Sequence, residues 1–210
     1  MSVGEDIRDV LLEVGVAFNV IRFSGISGET IFSGERLDFE PNAQVTKPFI
    51  REHFLDATLP FDTQVTAGDV LIIDVMAETY MVMNLSSMVF ENTVVEKSAV
   101  LYKCNVSGEL LRPSGEIWDT ATYQKTPAWE TIKTNAYGLL SETAFGTDLE
   151  QEAPAGQIEL KNYVLFLPNS YGAKPLDRYS PKSGEWVKIE TVMPRRFNKV
   201  DLCEVSEDTR

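Results

Sequence analysis

His53 is the sole histidine of the chain, and Cys104 and Cys203 are its only cysteines, so the inventory of nucleophiles and bases is short. A serine or cysteine nucleophile needs a positioned base and a group that orients the base, and His53 would have to supply the first of these. Its segment, Phe49-Ile-Arg-Glu-His-Phe54, lies near no Gly-x-Ser-x-Gly elbow, and neither cysteine sits in a catalytic context. An imidazole-based metal site takes more than one histidine, and the cysteine spacing fits neither a zinc site nor a CxxC redox pair. Carboxylates are plentiful at 32, but no DxDxDG loop singles out a calcium site and no motif singles out a glycosidase pair. The expectation is a protein without catalytic residues, cofactor or metal. Both cysteines end an apolar strand and read as small buried hydrophobes.

Charge narrows the partners. Thirty-two acidic against 19 basic residues give a net charge of −13. Gripping nucleic acid releases counterions through clustered Lys and Arg, and here only Arg195-Arg196 stand together. Tyr80 and Trp186 lie between apolar strand neighbours without flanking bases, which speaks against a single-strand stacking platform. An acidic surface can still wall a channel that DNA slides past, by repelling it weakly.

The elements are mostly β. Ser2 and Glu5 form a capping box, Ile7, Val10, Leu11 and Val14 line one helical face, and Gly15 stops the helix before a strand from Val16 to Phe23. Gly25, Gly28 and Gly34 suggest a hairpin around Thr30-Ile-Phe32, and a turn of helix is expected at 47–55. Gly68-Asp69 turns into Val70 to Val75, apolar at nearly every position, and Tyr80-Met-Val-Met83 returns beside it. Leu85 to Thr93 reads as a loop with Met88, Val89 and Phe90 at its turn. The order turn, strand, aromatic return strand, loop and strand recurs after Asp177, through Trp186, Phe197 and Leu202-Cys203, which places Cys104 and Cys203 at matching points. Between them, Pro113, Gly115, Pro127, Gly138, Gly146 and Pro154 mark a long polar stretch, while Trp118, Tyr123 and Trp129 give it aromatics that a disordered linker lacks.

The fold class expected is therefore mainly β: two small β-barrel-like units, a short N-terminal helix and a long aromatic-bearing arm. The divisions are 1–112 for the helix and first unit, 113–156 for the arm, and 157–210 for the second unit, beginning with a strand from Ile158 to Leu167 and closing on a polar exposed tail from Glu204. Neither a membrane span nor a signal peptide is expected, since no run approaches 18 apolar residues and no basic start precedes an apolar block.

Leu12-Glu-Val-Gly15 running into a strand, Asp62-Thr-Gln-Val-Thr-Ala-Gly-Asp69 before an apolar strand, Tyr80-Met-Val-Met83, Leu101-Tyr-Lys-Cys-Asn105 and the closing Glu207-Asp-Thr-Arg210 together resemble the head-to-tail connector (neck, stopper or adaptor) proteins of tailed bacteriophages. The arm from Pro113 to Gly156 departs from that pattern. The resemblance implies a virion structural protein assembled in the host cytoplasm, a homo-oligomeric ring that joins portal or adaptor to tail proteins and lines or closes the DNA channel, with genomic DNA as a non-specific passenger. Leu85, Met88, Val89, Phe90, Trp118, Tyr123 and Trp129 are the candidate subunit contacts. A tail-tip, baseplate or carbohydrate-binding β module is the alternative.

Overall fold

The computed structural model describes residues 3–42, 53–119, 123–141 and 163–208. The chain is mainly β. Helix α1 (Val3–Val14) leads into strands β1 (Val16–Arg22), β2 (Glu29–Pro41), β3 (Phe54–Pro60), β4 (Val70–Ile73), β5 (Glu78–Phe90) and β6 (Thr93–Lys103). These close into a barrel in the order β1-β2-β3-β6-β5-β4. Strands β7 (Val106–Asp119), β8 (Gln124–Ser141), β9 (Tyr163–Pro168), β10 (Arg178–Lys182), β11 (Glu185–Met193) and β12 (Val200–Glu207) close into a second, in the order β10-β11-β12-β9-β8-β7. No described helix is long and apolar enough to cross a membrane.

Period-two alternation fills each barrel. On β3, Leu55, Ala57 and Leu59 point into the first core, and on β9 Leu165 and Leu167 point into the second. The second barrel repeats the first strand by strand, register included. Val82 pairs with Leu101 and Asn84 with Val100 across a bulge; Ile189 pairs with Val205 and Thr191 with Glu204 across the same bulge. Val20 faces Phe32 and Ile21 faces Thr30, while Leu110 faces Lys133 and Leu111 faces Thr131. Asp38 pairs with Thr58 as Leu139 pairs with Phe166. Core volume is redistributed within this frame: the cross-strand pair Leu71 and Tyr80 of one barrel is Tyr179 and Val187 in the other, so the aromatic changes strand while the space filled stays similar.

A buried ion pair is repeated as well. Asp69, before β4, receives Arg22 Nε at 2.8 Å and Nη2 at 2.6 Å, and Asp177, before β10, receives Arg112 Nε at 2.9 Å and Nη2 at 2.8 Å. Each carboxylate also accepts the backbone N–H three residues upstream, from Thr66 and Lys174 at 2.8 Å. The same turns return backbone N–H groups to the facing strand, Gly68 to Val82 and Leu176 to Ile189. These contacts fix the turn that reverses the chain into the fourth strand of each barrel. A carboxylate this buried is tolerated because bidentate guanidinium and amide donors satisfy it.

The barrels join side to side through an apolar seam. Met81 and Met83 of β5, with Val100, Tyr102 and Cys104, pack on Leu139, Val164, Phe166, Val200 and Leu202 of the second barrel. The Tyr102 and Phe166 rings meet edge-on at 5.8 Å. A second tie comes from the β1–β2 turn: Thr134 donates to Ile26 O at 2.9 Å, Lys133 donates to Gly25 O, and Phe23 stacks edge-on against Tyr171 at 4.7 Å. Burial of Lys133 pushes its ammonium pKa below the ordinary lysine range.

Several expectations are corrected. The division at 112 and the described part of the arm expected over 113–156 give way to strands: β7 begins at Val106, and residues 113–119 and 124–141 belong to the hairpin that opens the second barrel, while residues 142–156 lie outside the described residues. Pro113 and Gly115 sit at a register shift in β7, where a bulge accommodates residues that would break a regular ladder. Residues 85–93 are no loop but two paired strands around a tight turn. β4 ends at Ile73, and Val75 lies exposed in the following turn. Glu204 to Ser206 continue β12, with Val205 buried. On α1, Leu11 is buried, but Val10 and Val14 of the expected apolar face are exposed. Cys203 faces Leu165, and its counterpart in the first barrel is Ala99, which faces Ala57; Cys104 lies just past β6. The cap residue Ser2, residues 47–52 of the helical turn expected at 47–55 and the strand start at 158–162 lie outside the described residues, while Phe54 and Leu55, at the end of that expected turn, belong to β3.

Candidate interaction surface on two projecting hairpins

Each barrel extends one hairpin past its closed wall. In the first, β4 pairs with β5 only as far as Val70 and Met81, and β3 pairs with β6 only as far as Pro60 and Glu96. Met88 pairs with Glu96 at that last rung, and beyond it Val89 and Phe90 pair with Val94 and Thr93 alone, as a short two-stranded ribbon. Glu91 and Asn92 turn it with φ of 47° and 64°, the pair of left-handed residues that a tight two-residue hairpin requires. Met88, Val89 and Phe90 are all exposed, Phe90 at 54%. Leu85, nearer the root, packs against the first core.

In the second barrel β10 pairs with β7 at Leu110 and Leu111 only, and β9 meets β8 only from Leu139 on. Residues 113–119 and 124–129 therefore pair with each other and nothing else in the sheet. Ile117, Trp118 and Tyr123 are exposed at the tip, Tyr123 at 77%. A Lys125–Glu116 ion pair at 2.7 Å spans the ribbon, and Thr126 donates to Ile117 O at 3.3 Å. Trp129 stands at the root. Its ring lies 3.8 Å from the Arg178 guanidinium carbon, which sits 4.1 Å from Trp186 on its other side, so the ribbon is anchored to β10 and β11 by a cation between two indoles.

The sequence-selected contacts thus divide by position. Met88, Val89 and Phe90 share one tip, Trp118 and Tyr123 share the other, and Leu85 and Trp129 are roots. The ribbons are the elongated versions of different hairpins of the repeat, since β5–β6 corresponds to β11–β12 and β7–β8 to β1–β2. Sequence reasoning missed the paired Asp69 and Asp177 sites, although both follow a proline, Pro60 or Pro168, at the same spacing.

Among the described residues no group of three or more His, Cys, Asp and Glu is placed to hold a metal ion. Cys203 is fully buried, and burial pushes its thiol up to about 12, far from the range of a nucleophilic thiolate. His53 stands in the turn just before β3, where its carbonyl accepts the Lys103 N–H at 2.9 Å. Comparison with protein-family profiles, with curated proteins and with solved structures returned no match for this chain.

Proposed function

We propose that the chain is a structural protein of an oligomeric assembly, and that the assembly is the head-to-tail connector of a tailed phage, joining portal to tail and lining or closing the DNA channel. The observation that carries the first step is the pair of projecting ribbons with apolar tips at Phe90 and Trp118 on a double barrel. A lone two-stranded ribbon is marginal in water, and its unpaired edges invite a neighbouring chain. Covering such a tip removes apolar surface from water, at about 25 cal/mol per Å². Closed barrels offer no edges of their own, so the ribbons are where a neighbour gains most.

The second step, from assembly to connector, rests on the resemblance in the sequence and on charge. A net charge of −13 suits a surface that DNA passes without being held. The alternative, a tail-tip or baseplate module that binds carbohydrate, is favoured by one cleft of about 370 Å³ in which Tyr163 and Trp186 stand beside Glu185, Glu207 and Asp208. Aromatic faces beside carboxylates suit a sugar. Sedimentation with purified portal rings tests the connector reading: stable co-sedimentation supports it, and a chain that ignores portal while binding oligosaccharide supports the alternative.

A further inference from the structure

The seam between the barrels joins two different walls of the repeated fold. The first barrel contributes the outer face of β5 and β6, through Met81, Met83, Val100 and Tyr102; the second contributes the outer faces of β8, β9 and β12. A contact between unlike patches is of the kind that repeats: a third barrel added in the same way would extend a ring or a filament. Each end of the pair carries the wall needed for such an extension, and the shared register identifies its residues.

At the open end of the second barrel, the positions of Met81, Met83, Val100 and Tyr102 are held by Lys188, Glu190, Glu204 and Ser206. These residues bond among themselves, Lys188 to Glu190 at 2.8 Å and Ser206 Oγ to Glu190 Oε1 at 2.6 Å. At the open end of the first barrel, the positions of Leu139, Val164, Phe166, Val200 and Leu202 are held by Asp38, Asp56, Thr58, Glu96 and Ser98. Each of these nine seam residues has a polar or charged counterpart on the free wall. Helix α1 lies on the same wall of the first barrel, forming with Asp38, Thr58 and Glu96 a crevice of about 420 Å³ and burying Leu11. The helix therefore stands where a neighbouring barrel would stand.

We infer that the barrel-to-barrel contact is made once and terminated at both ends: by the polar β11–β12 wall on the second barrel, and by α1 over an acidic wall on the first. Another copy of the chain is refused at both walls, because docking there would strip water from Glu190 and Glu204 of one copy while setting them against Asp38, Asp56 and Glu96 of the next, like charges that repel. A terminal element with a polar outer wall plays the same part in repeat arrays, where it stops stacking. This goes beyond the connector reading and stands without it; within that reading it leaves the ribbons, and not the barrel walls, to make the contacts between copies.

Ser206 of one copy and Thr58 of the next would meet in an extended array as Tyr102 and Phe166 meet in the seam. A Thr58→Cys/Ser206→Cys variant, oxidised at high protein concentration and compared with each single variant on a non-reducing gel, should give no linked ladder that depends on both cysteines. A ladder that does would overturn the inference. The converse test rebuilds the walls on separate chains: one carrying Lys188→Met, Glu190→Met, Glu204→Val and Ser206→Tyr, the other lacking residues 1–14 and carrying Asp38→Leu, Asp56→Val, Thr58→Phe, Glu96→Val and Ser98→Leu. With folding checked by circular dichroism, mixing them should give a one-to-one complex, and folded chains that stay apart would count against termination by these residues. Should either rebuilt chain fail to fold, the cysteine pair decides alone.

Discussion

Asp69 and Asp177 occupy the same place in the two barrels, each buried, each bridged by both edge nitrogens of an arginine, and each accepting the backbone N–H three residues before it. An anchor repeated with this geometry at the entry to the fourth strand marks where the fold depends on a single side chain. Neutralising the carboxylate takes two charge-assisted hydrogen bonds from a partly exposed arginine and weakens the bond from the upstream backbone N–H. Asp177→Asn and Asp69→Asn are each expected to lower the unfolding free energy by about 3 kcal/mol, while Arg112→Met/Asp177→Leu, which removes both charges, costs less than Asp177→Asn alone. Urea titration of the three variants checks this. A double variant that loses more than Asp177→Asn alone would show that the pair acts as separate hydrogen bonds.

Gly68 and Leu176 are also counterparts, and both have positive φ, 84° and 74°. The left-handed conformation costs a side chain about 1 kcal/mol and costs glycine almost nothing. Leu176 is 52% exposed, so little packing is lost on truncation. Leu176→Gly is expected to raise stability by up to about 1 kcal/mol, measured by the shift of the denaturant midpoint. Gly68→Ala should do the opposite and more severely, because a Cβ there would stand 2.6 Å from Lys199 O, on the other barrel.

Two glutamates set opposite slopes of stability against pH. Burial pushes the Glu78 carboxyl up, but hydrogen bonds from Lys103 and Tyr80 outweigh it and bring the pKa below the ordinary value. Its contribution is present above the unfolded pKa and is lost as the pH falls through the lower, folded one. Burial raises the Glu35 pKa against a hydrogen bond from Thr63 that lowers it. Stability from protonated Glu35 is present below the unfolded pKa and is lost as the pH rises through the folded value. Glu78→Gln should flatten the acid limb of the stability profile, and Glu35→Gln should raise stability at neutral pH, each by no more than about 1 kcal/mol at such solvent-screened positions. Thermal melts of both variants from pH 3 to 8 would show it, and a Glu35→Gln variant less stable at neutral pH would contradict the assignment.

The seam predicts coupled unfolding. Phe166 is buried outside the core of its own barrel, against Tyr102 of the first barrel and Phe197 of its own, so Phe166→Ala removes a ring contact across the seam. A loss of about 3 kcal/mol, the usual scale for a buried phenylalanine, should fall on the interface and split one unfolding transition into two. Calorimetry distinguishes this from a single, merely lowered transition.

How far the sequence carries this fold follows from which pressures a residue reports. Val70 with Tyr80 to Met83 was legible, because a short apolar run beside a turn of Gly68 and Asp69 has few alternatives to a buried hairpin. The helix was legible too, but not its orientation, since the exposed Val10 and Val14 carry the same period as buried Leu11. The repeat was visible in element order and misaligned in detail: Cys104 and Cys203 look equivalent only until pairing sets Cys203 beside Leu165 and Ala99 beside Ala57. Counterparts such as Met83 and Glu190 differ because their walls face a barrel in one case and water in the other, and Leu71 and Tyr179 differ because the aromatic moved across the strand pair. The arm was misread for a local reason. Pro113, Gly115 and Pro127 read as breakers, whereas here they bend a two-stranded ribbon that has no central position to disrupt.

The exposed tips make assembly the central claim, and light scattering across a wide concentration range, alone and with portal rings, tests it most directly. Wild-type chain should form a discrete closed oligomer or be captured by portal, while Met88→Ser/Val89→Ser/Phe90→Ser and Trp118→Ser/Tyr123→Ser variants should melt at nearly the wild-type temperature and remain monomeric. A wild-type chain that stays a monomer under both conditions, or tip variants that assemble as the wild type does, would contradict the account.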